Sequence, residues 1–329
     1  MRTFPPVPQR CFVFSRERLR DWFLLLSCNF MWASQFVLVK IVQEQMGPVA
    51  ATSIPMLLAT LMLWPIVRIQ ARSAGRQKPA RSMWADWFPF LLLGLVGQVP
   101  SQLFTTWGMR YSLASNAALL MLTMPIATIV MAYFLLKEKM TAVRWLSFVL
   151  AVAGVVECSG VDWKELSLTS AGYLIGNLLI FASVLGSAFY NVYSKKVLER
   201  YTPLEVLLYS YYFVIAFLVP ITLYAEPGVV HEVAHYTART WIGIALLAVF
   251  QYWLSMVIFM IVLNRLDATQ AGLSNYMIPF FGLIIAAVVL HESLTLPMIL
   301  GGILVLLSTM LITVYEEHRK RRSKDLVVT

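Results

Sequence analysis

Acidic and basic residues are placed in this 329-residue chain so that ten runs contain no Asp, Glu, Lys or Arg. The runs are 22–39, 45–67, 87–109, 111–136, 145–156, 166–194, 206–225, 240–264, 268–290 and 293–315. Nine of them hold 18 residues or more, close to the ~20 apolar residues that a helix needs to cross a bilayer core. The short run, 145–156, is bounded by Arg144 and Glu157. Their side chains can snorkel from helix ends, so it too reads as a span. Backbone in hydrocarbon must satisfy its own hydrogen bonds, which favours helices for all ten. Composition agrees, with 59% hydrophobic and 13% charged residues against about 25% charged in soluble domains. The expected fold is an all-α integral membrane protein with ten transmembrane helices.

The positive residues orient those helices. With the N-terminus inside, 22 of the 26 Lys and Arg fall on the cytoplasmic side, and only Lys40, Arg110, Lys164 and Arg239 lie outside. Both termini are therefore expected in the cytoplasm, in a cell membrane. The net charge of +9 is this bias and not a nucleic-acid footprint. The C-terminal "HRKRRSK" is expected to touch anionic lipid. The N-terminal segment does not read as a cleaved signal, since a full-length span and Lys40 follow its arginines with no small-x-small site. Cys11, Cys28 and Cys158 form no disulfide framework.

An internal repeat organises the chain. A shift of 154 lays Pro125 on Pro279, Glu138 on Glu292 and Thr141 on Thr295. A shift of 155 lays Lys40 on Lys195, Pro48 on Pro203 and Pro65 on Pro220. Each half holds five spans, an odd number, so the second half enters the membrane inverted. Inverted repeats mark secondary transporters, whose substrates bind near the midplane between the repeats.

"NFMWASQFVLVK" in the first span, "ASNAALLMLTMPIATIVMAYFLLKEKMTAVRWLSFVLAVAGVV" across the fourth and fifth, and "ATQAGLSNYMIPFFGLIIAAVVLHESLTLPMILGGILVLL" in the second half carry a resemblance. The chain resembles the EamA-like branch of the drug/metabolite transporter superfamily over nearly its whole length. It departs in "SVLGSAFYNVYSKK", which lacks a tryptophan often seen near Leu185. The resemblance implies a five-plus-five inverted repeat. Its units are a cytoplasmic tail at 1–21, a first five-helix repeat at 22–161, an inverted second repeat at 162–315 and a basic cytoplasmic tail at 316–329. It implies transport of small metabolites by alternating access and is poor for substrate identity, since members move very different solutes.

Pro125 and Pro279 each remove a backbone donor from an apolar helix. They read either as packing kinks or as matched, cavity-lining kinks. Polar side chains within spans tend to face the bundle interior. These are Trp32 and Gln35 in the first span, Gln98 and Gln102 in the third, and Tyr190 and Asn191 in the sixth. Gln251 joins them from the eighth span, with Ser255 on its face, and Asn275 and Tyr276 from the ninth. Singly each reads as interhelical glue of ~0.6 kcal/mol. As a group they suit a substrate pocket with aromatic walls and amide hydrogen-bonding groups. No Asp, Glu, Lys or Arg lies inside a run, so exchange or facilitated flow is expected. Lys40 and Lys195 read as snorkelling or as gate charges, and Glu138 and Glu292 as first-turn residues of the next helix.

His231-Glu232-Val233-Ala234-His235 matches H-E-x-x-H and raises the alternative of a membrane zinc metalloprotease. It falls in an outside loop of 14 residues between the seventh and eighth spans, with no third ligand evident. No nucleotide-binding or serine-nucleophile motif is present. The expected protein is not an enzyme and has no cofactor, metal or catalytic residue. Its expected partners are a small-molecule substrate and the lipid bilayer, with a homodimer left open and no nucleic acid.

Overall fold

The computed structural model describes residues 16–73, 86–111, 120–121, 123–137, 141–158 and 171–266, and single residues between 271 and 315. Eight main helices follow one another: α1 (Arg16–Gln43), α2 (Pro48–Ser73), α3 (Trp87–Tyr111), α4 (Met124–Leu136), α5 (Ala142–Cys158), α6 (Ala171–Val197), α7 (Pro203–Ala225) and α8 (Ala238–Leu263). The described residues from Ala271 onward are helical except Asn275, which lies in a turn. No strand occurs among the described residues. Six of the helices, α1, α2, α3, α6, α7 and α8, are long and apolar enough to cross a membrane.

Local chemistry explains where the helices begin. Pro203 and Pro48 open α7 and α2, where proline's missing N–H falls among donors that have no intrahelical partner. Thr202 and Glu205 form a reciprocal capping box on α7, with Glu205 Oε2 accepting from Thr202 N at 2.9 Å. Thr141 Oγ1 accepts from Arg144 N at 3.4 Å at the start of α5. Helical residues 120–121 precede Pro125 and α4 follows, with the interruption at Thr123, just before the proline. Thr123 N donates to Leu120 O at 3.0 Å, the chain turns there, and α4 restarts at Met124 with Pro125 in its first turn. Ile278 N closes a similar turn on Asn275 O at 3.0 Å. Pro279 itself lies outside the described residues, as do Glu138, Glu292, Thr295 and Tyr276.

The helices pack as pairs. α1 lies along α8, α2 along α7 and α3 along α6. Under the sequence shift, α1, α2 and α3 correspond to α6, α7 and α8. The α1–α8 pair then maps onto α3–α6, and α2–α7 maps onto itself. α4 packs on α6, and the corresponding contact is made by Phe281 against Phe30 of α1, ring centroids 5.6 Å apart. Backbones touch where α3 meets α6: a Cβ at Gly186 would lie 2.9 Å from Gly97 O, the close approach that small residues permit between membrane helices. Large apolar side chains such as Phe23, Phe134 and Leu178 point outward, as a lipid-facing surface requires.

Loops sort to two ends. At one, Arg265 Nη1 donates to Asp21 Oδ1 at 2.8 Å, Tyr201 OH to Asp86 Oδ2 at 3.0 Å, and Lys195 to the end of α8. At the other, the α1–α2 connection meets the α7–α8 connection. Arg144 does not reach out to an interface; it is 2% exposed and buried within the protein.

Candidate functional site

Two helices carry the same irregularity. α3 is π-helical over Leu93–Gln98 and Pro100–Phe104, and α8 over Leu247–Leu254. A π-turn inserts a residue into the ladder, widens the helix and loosens its carbonyls, and such turns collect at functional sites. Pro100 adds to this in α3 because it has no N–H to donate. Hydroxyls take up carbonyls of the disturbed turns. Thr105 donates to Ser101 O at 2.7 Å, Thr106 to Gln102 O at 2.9 Å and Ser255 to Gln251 O at 2.7 Å.

The two irregular stretches face each other through glutamines. Gln251 Nε2 reaches Gln102 Oε1 at 3.5 Å, and Gln102 Nε2 reaches Ser101 Oγ at 3.4 Å. Both contacts are at the long limit of a hydrogen bond. Ser101 and Ser187 hydroxyls join α3 to α6 at 2.7 Å, and the Thr105 and Ser183 hydroxyls lie 2.9 Å apart one turn away. These serines and threonines are the glue of the α3–α6 pair. Residue order alone did not single them out, because their signal is a facing partner and not a spacing.

The expected polar group divides into two halves joined by the glutamine contact. On the α3–α6 side, the Tyr190 hydroxyl lies beside the side chains of Gln98, Ser194 and Ser210, yet it makes no aligned hydrogen bond. Gln98 Nε2 and Ser194 Oγ are also buried without partners, and Asn191 is buried next to Tyr190. On the α1–α8 side, the Trp32 ring lies 5.1 Å from that of Phe259. Its Nε1 has no partner, nor has Gln251 Oε1 or either amide atom of Asn275. Gln35 is buried on α1. Asn29 belongs here too and was missed by the sequence reading. Its Nδ2 donates to Ser274 O at 2.7 Å while its Oδ1 is unpaired.

Unpartnered buried polar atoms also occur elsewhere, at Thr128, Ser147 and Tyr236, but several fall on the helices of this group. Buried polar atoms are nearly always hydrogen-bonded, and leaving one unpaired costs about 1–3 kcal/mol. The group includes unpaired donors (Trp32, Gln98 and Asn275 nitrogens) and unpaired acceptors (Asn29, Gln251 and Asn275 oxygens). That inventory suits a solute able both to accept and to donate.

Other sequence candidates resolve differently. Lys195 Nζ donates to the main-chain oxygens of Leu263 and Leu266, each at 2.6 Å, so it closes the end of α8 and does not reach for lipid headgroups. His231, Glu232 and His235 are exposed on a short helical turn, Val229–Glu232, and the tight turn after it. His235 Nδ1 lies 3.0 Å from His231 O. No group of three His, Cys, Asp or Glu able to hold a metal occurs among the described residues. Glu232 and His235 line an open cleft of about 510 Å³ with Gln45, Gly47, Arg110 and Tyr236, and none of the polar group lines it. Burial, followed by the negative charges of Glu232 and Glu226, pushes the Tyr236 phenol above its usual range.

The model of the EamA-like transporter family matches residues 21–158 and, separately, 174–314. The chain is 21% identical over 281 residues to YoaV of Bacillus subtilis, described as an uncharacterized transporter, across 85% of this chain and 92% of that protein. It is 27% identical over 295 residues to an uncharacterized transporter of Archaeoglobus fulgidus, across 88% and 96%. A "Probable terminal-alkyne amino-acid exporter" of Streptantibioticus cattleyicolor is 25% identical over 302 residues, across 92% and 96%. A solved crystal structure superposes with a TM-score of 0.71 at 15% identity, covering 92% of this chain and 99% of that one, a likeness of fold.

Proposed function

We propose, from the premise that this chain belongs to the EamA-like transporter family, that it is a secondary transporter moving small metabolites across the cell membrane by alternating access. The single observation that carries this reading is the facing pair of π-helical stretches, with Gln102 and Gln251 meeting between them. α3 and α8 are the corresponding third helices of two repeats. A loosened turn in each, at the same place in its repeat, suits a site that both repeats share and that both can open.

The proposed architecture is ten transmembrane helices in two inverted five-helix repeats, 22–161 and 162–315, with cytoplasmic tails 1–21 and 316–329. Two separate family matches and helix pairs that exchange under the shift support it. Both termini lie in the cytoplasm on the charge bias. The proposed substrate-binding residues are Trp32, Gln35, Gln98, Gln102, Tyr190, Asn191, Gln251, Asn275 and Tyr276, joined by Asn29. The substrate is amino-acid-like or otherwise amphipathic. A ring or apolar part fits Trp32 and Phe259, and donor and acceptor groups fit the unpaired amides. The exporter name of one relative points to the same class.

A thermal-shift screen of the purified protein against a metabolite library, followed by flux of the hits into and out of liposomes, tests the proposal. Counterflow of a stabilising solute is the expected result. Hits that bind but never move would overturn the transport reading.

A further inference from the structure

At the end where the α1–α2 and α7–α8 connections meet, side chains bind the starts of helices that belong to the other half of the chain. Glu226, just past α7, accepts from Val49 N through Oε1 at 3.0 Å and from Ala50 N through Oε2 at 2.9 Å. These are first-turn amides of α2, which have no partner within their own helix. A carboxylate there makes charge-assisted bonds and meets the positive end of the helix dipole. A helix ordinarily receives such a group from its own N-cap residue, as α7 does from Thr202. Under the shift of 155 the residue matched to Thr202 is Gly47, which has no side chain to offer. A Cβ at Gly47 would stand 2.2 Å from the Glu226 carboxyl carbon. The glycine therefore makes room for a cap supplied by the opposite repeat.

The reverse contact is made by Gln45. Its Oε1 accepts from Thr237 N at 2.9 Å, from Thr237 Oγ1 at 3.0 Å and from the Thr240 hydroxyl. It thereby holds Thr237, the N-cap residue of α8, whose own hydroxyl accepts from Thr240 N at 3.3 Å. About one turn beneath Val49, the buried hydroxyls of Ser53 and Thr222 join α2 to α7 at 2.7 Å. Arg239 and Glu44 add an ion pair at 3.6 Å that is more than half exposed on both sides and carries little weight.

We propose that the Glu226 cap on α2, together with the Gln45–Thr237 contact, is the latch that holds the outer mouth of the transport path closed, with Glu226 as its gate residue. Parting the repeats at this end strands two α2 amides and one carboxylate, and Gly47 supplies nothing in their place. Outward opening is therefore coupled to release of α2 from Glu226. The inference rests on the transporter reading above, and the test separates the two.

The test measures how fast the S53C site is modified by a membrane-impermeant quaternary-ammonium methanethiosulfonate, in a chain whose native cysteines are replaced by alanine. The reagent is added to each side of oriented proteoliposomes in turn. Slow modification from outside is expected with the latch intact. Glu226→Gln, which removes one acceptor oxygen at constant size, should raise the outside rate roughly tenfold or more. Gly47→Ala, which displaces the carboxylate without removing it, should do the same. Gly47→Ser combined with Glu226→Gln should return a local cap to α2, so the melting temperature recovers while the rate stays raised. Unchanged outside rates in the folded single variants would overturn the latch, as would a rate that falls back together with the recovered melting temperature. If the single variants do not fold, the double variant decides alone: a raised rate supports the latch and an unchanged one overturns it. A rate raised only from the opposite side would overturn the outer placement of the latch. Failure of the flux assay with accelerated modification intact would overturn the transporter reading and, with it, this latch's role in transport.

Discussion

Lys195 Nζ stands 2.6 Å from the main-chain oxygens of both Leu263 and Leu266, so one ammonium group on α6 closes the C-terminal end of α8. Leu263 is the last residue of α8, where helix carbonyls lack a donor of their own and a cation is favoured by the helix dipole. Lys195→Met removes both bonds and should destabilise the protein by about 2 kcal/mol, seen as a lower melting temperature in detergent. An unchanged melting temperature would show that the ammonium is not needed at this helix end.

Gln98→Leu and Gln251→Leu should each weaken substrate binding by about 1–3 kcal/mol, roughly five- to 150-fold in affinity. Thr105→Val serves as a contrast. It breaks the α3–α6 bond to Ser183 and should lower the melting temperature while leaving affinity unchanged. If the glutamine variants behave like Thr105→Val, the amides are packing groups and not substrate contacts.

Topology can be read with reporter fusions. Fusions after Arg76 and Glu199 should report the cytoplasm, and fusions after Lys164 and Glu232 the exterior. The basis is the 22 of 26 cationic residues on one side. A cytoplasmic signal after Glu232 would reverse the orientation and move the proposed latch to the inner mouth.

Chelation should have no effect. The histidines of the H-E-x-x-H stretch are exposed and gather no third ligand among the described residues. Neither EDTA nor Glu232→Gln should alter flux, and no peptide hydrolysis should accompany added zinc. Zinc-dependent cleavage of a casein substrate, lost in Glu232→Gln, would restore the metalloprotease reading.

The helices long and apolar enough to cross a membrane, α1, α2, α3, α6, α7 and α8, were readable in residue order because span length and apolarity are local properties. A charge-free run of the right length has few other places to go. The pairing of Pro48 with Pro203 was likewise visible, and both prolines open helices for a reason internal to proline. The glutamines could be named from sequence because an amide in an apolar run is conspicuous. That Gln102 and Gln251 meet depends on where packing places the π-helical stretches of α3 and α8.

Tertiary structure decided everything that depends on a partner far along the chain. Pro125 looked like a mid-helix defect, and the interruption lies just before it, where Thr123 N turns back to Leu120 O. Arg144 looked like a snorkelling terminus and is enclosed, while Lys195 found two carbonyls 68 and 71 residues away. Gly47 carried no signal of its own until Glu226 arrived from 177 residues beyond Val49. Hydrophobic length and proline geometry act over a few residues and are written in their order. A helix end can be capped by any chain that folds against it, and only packing selects which one does.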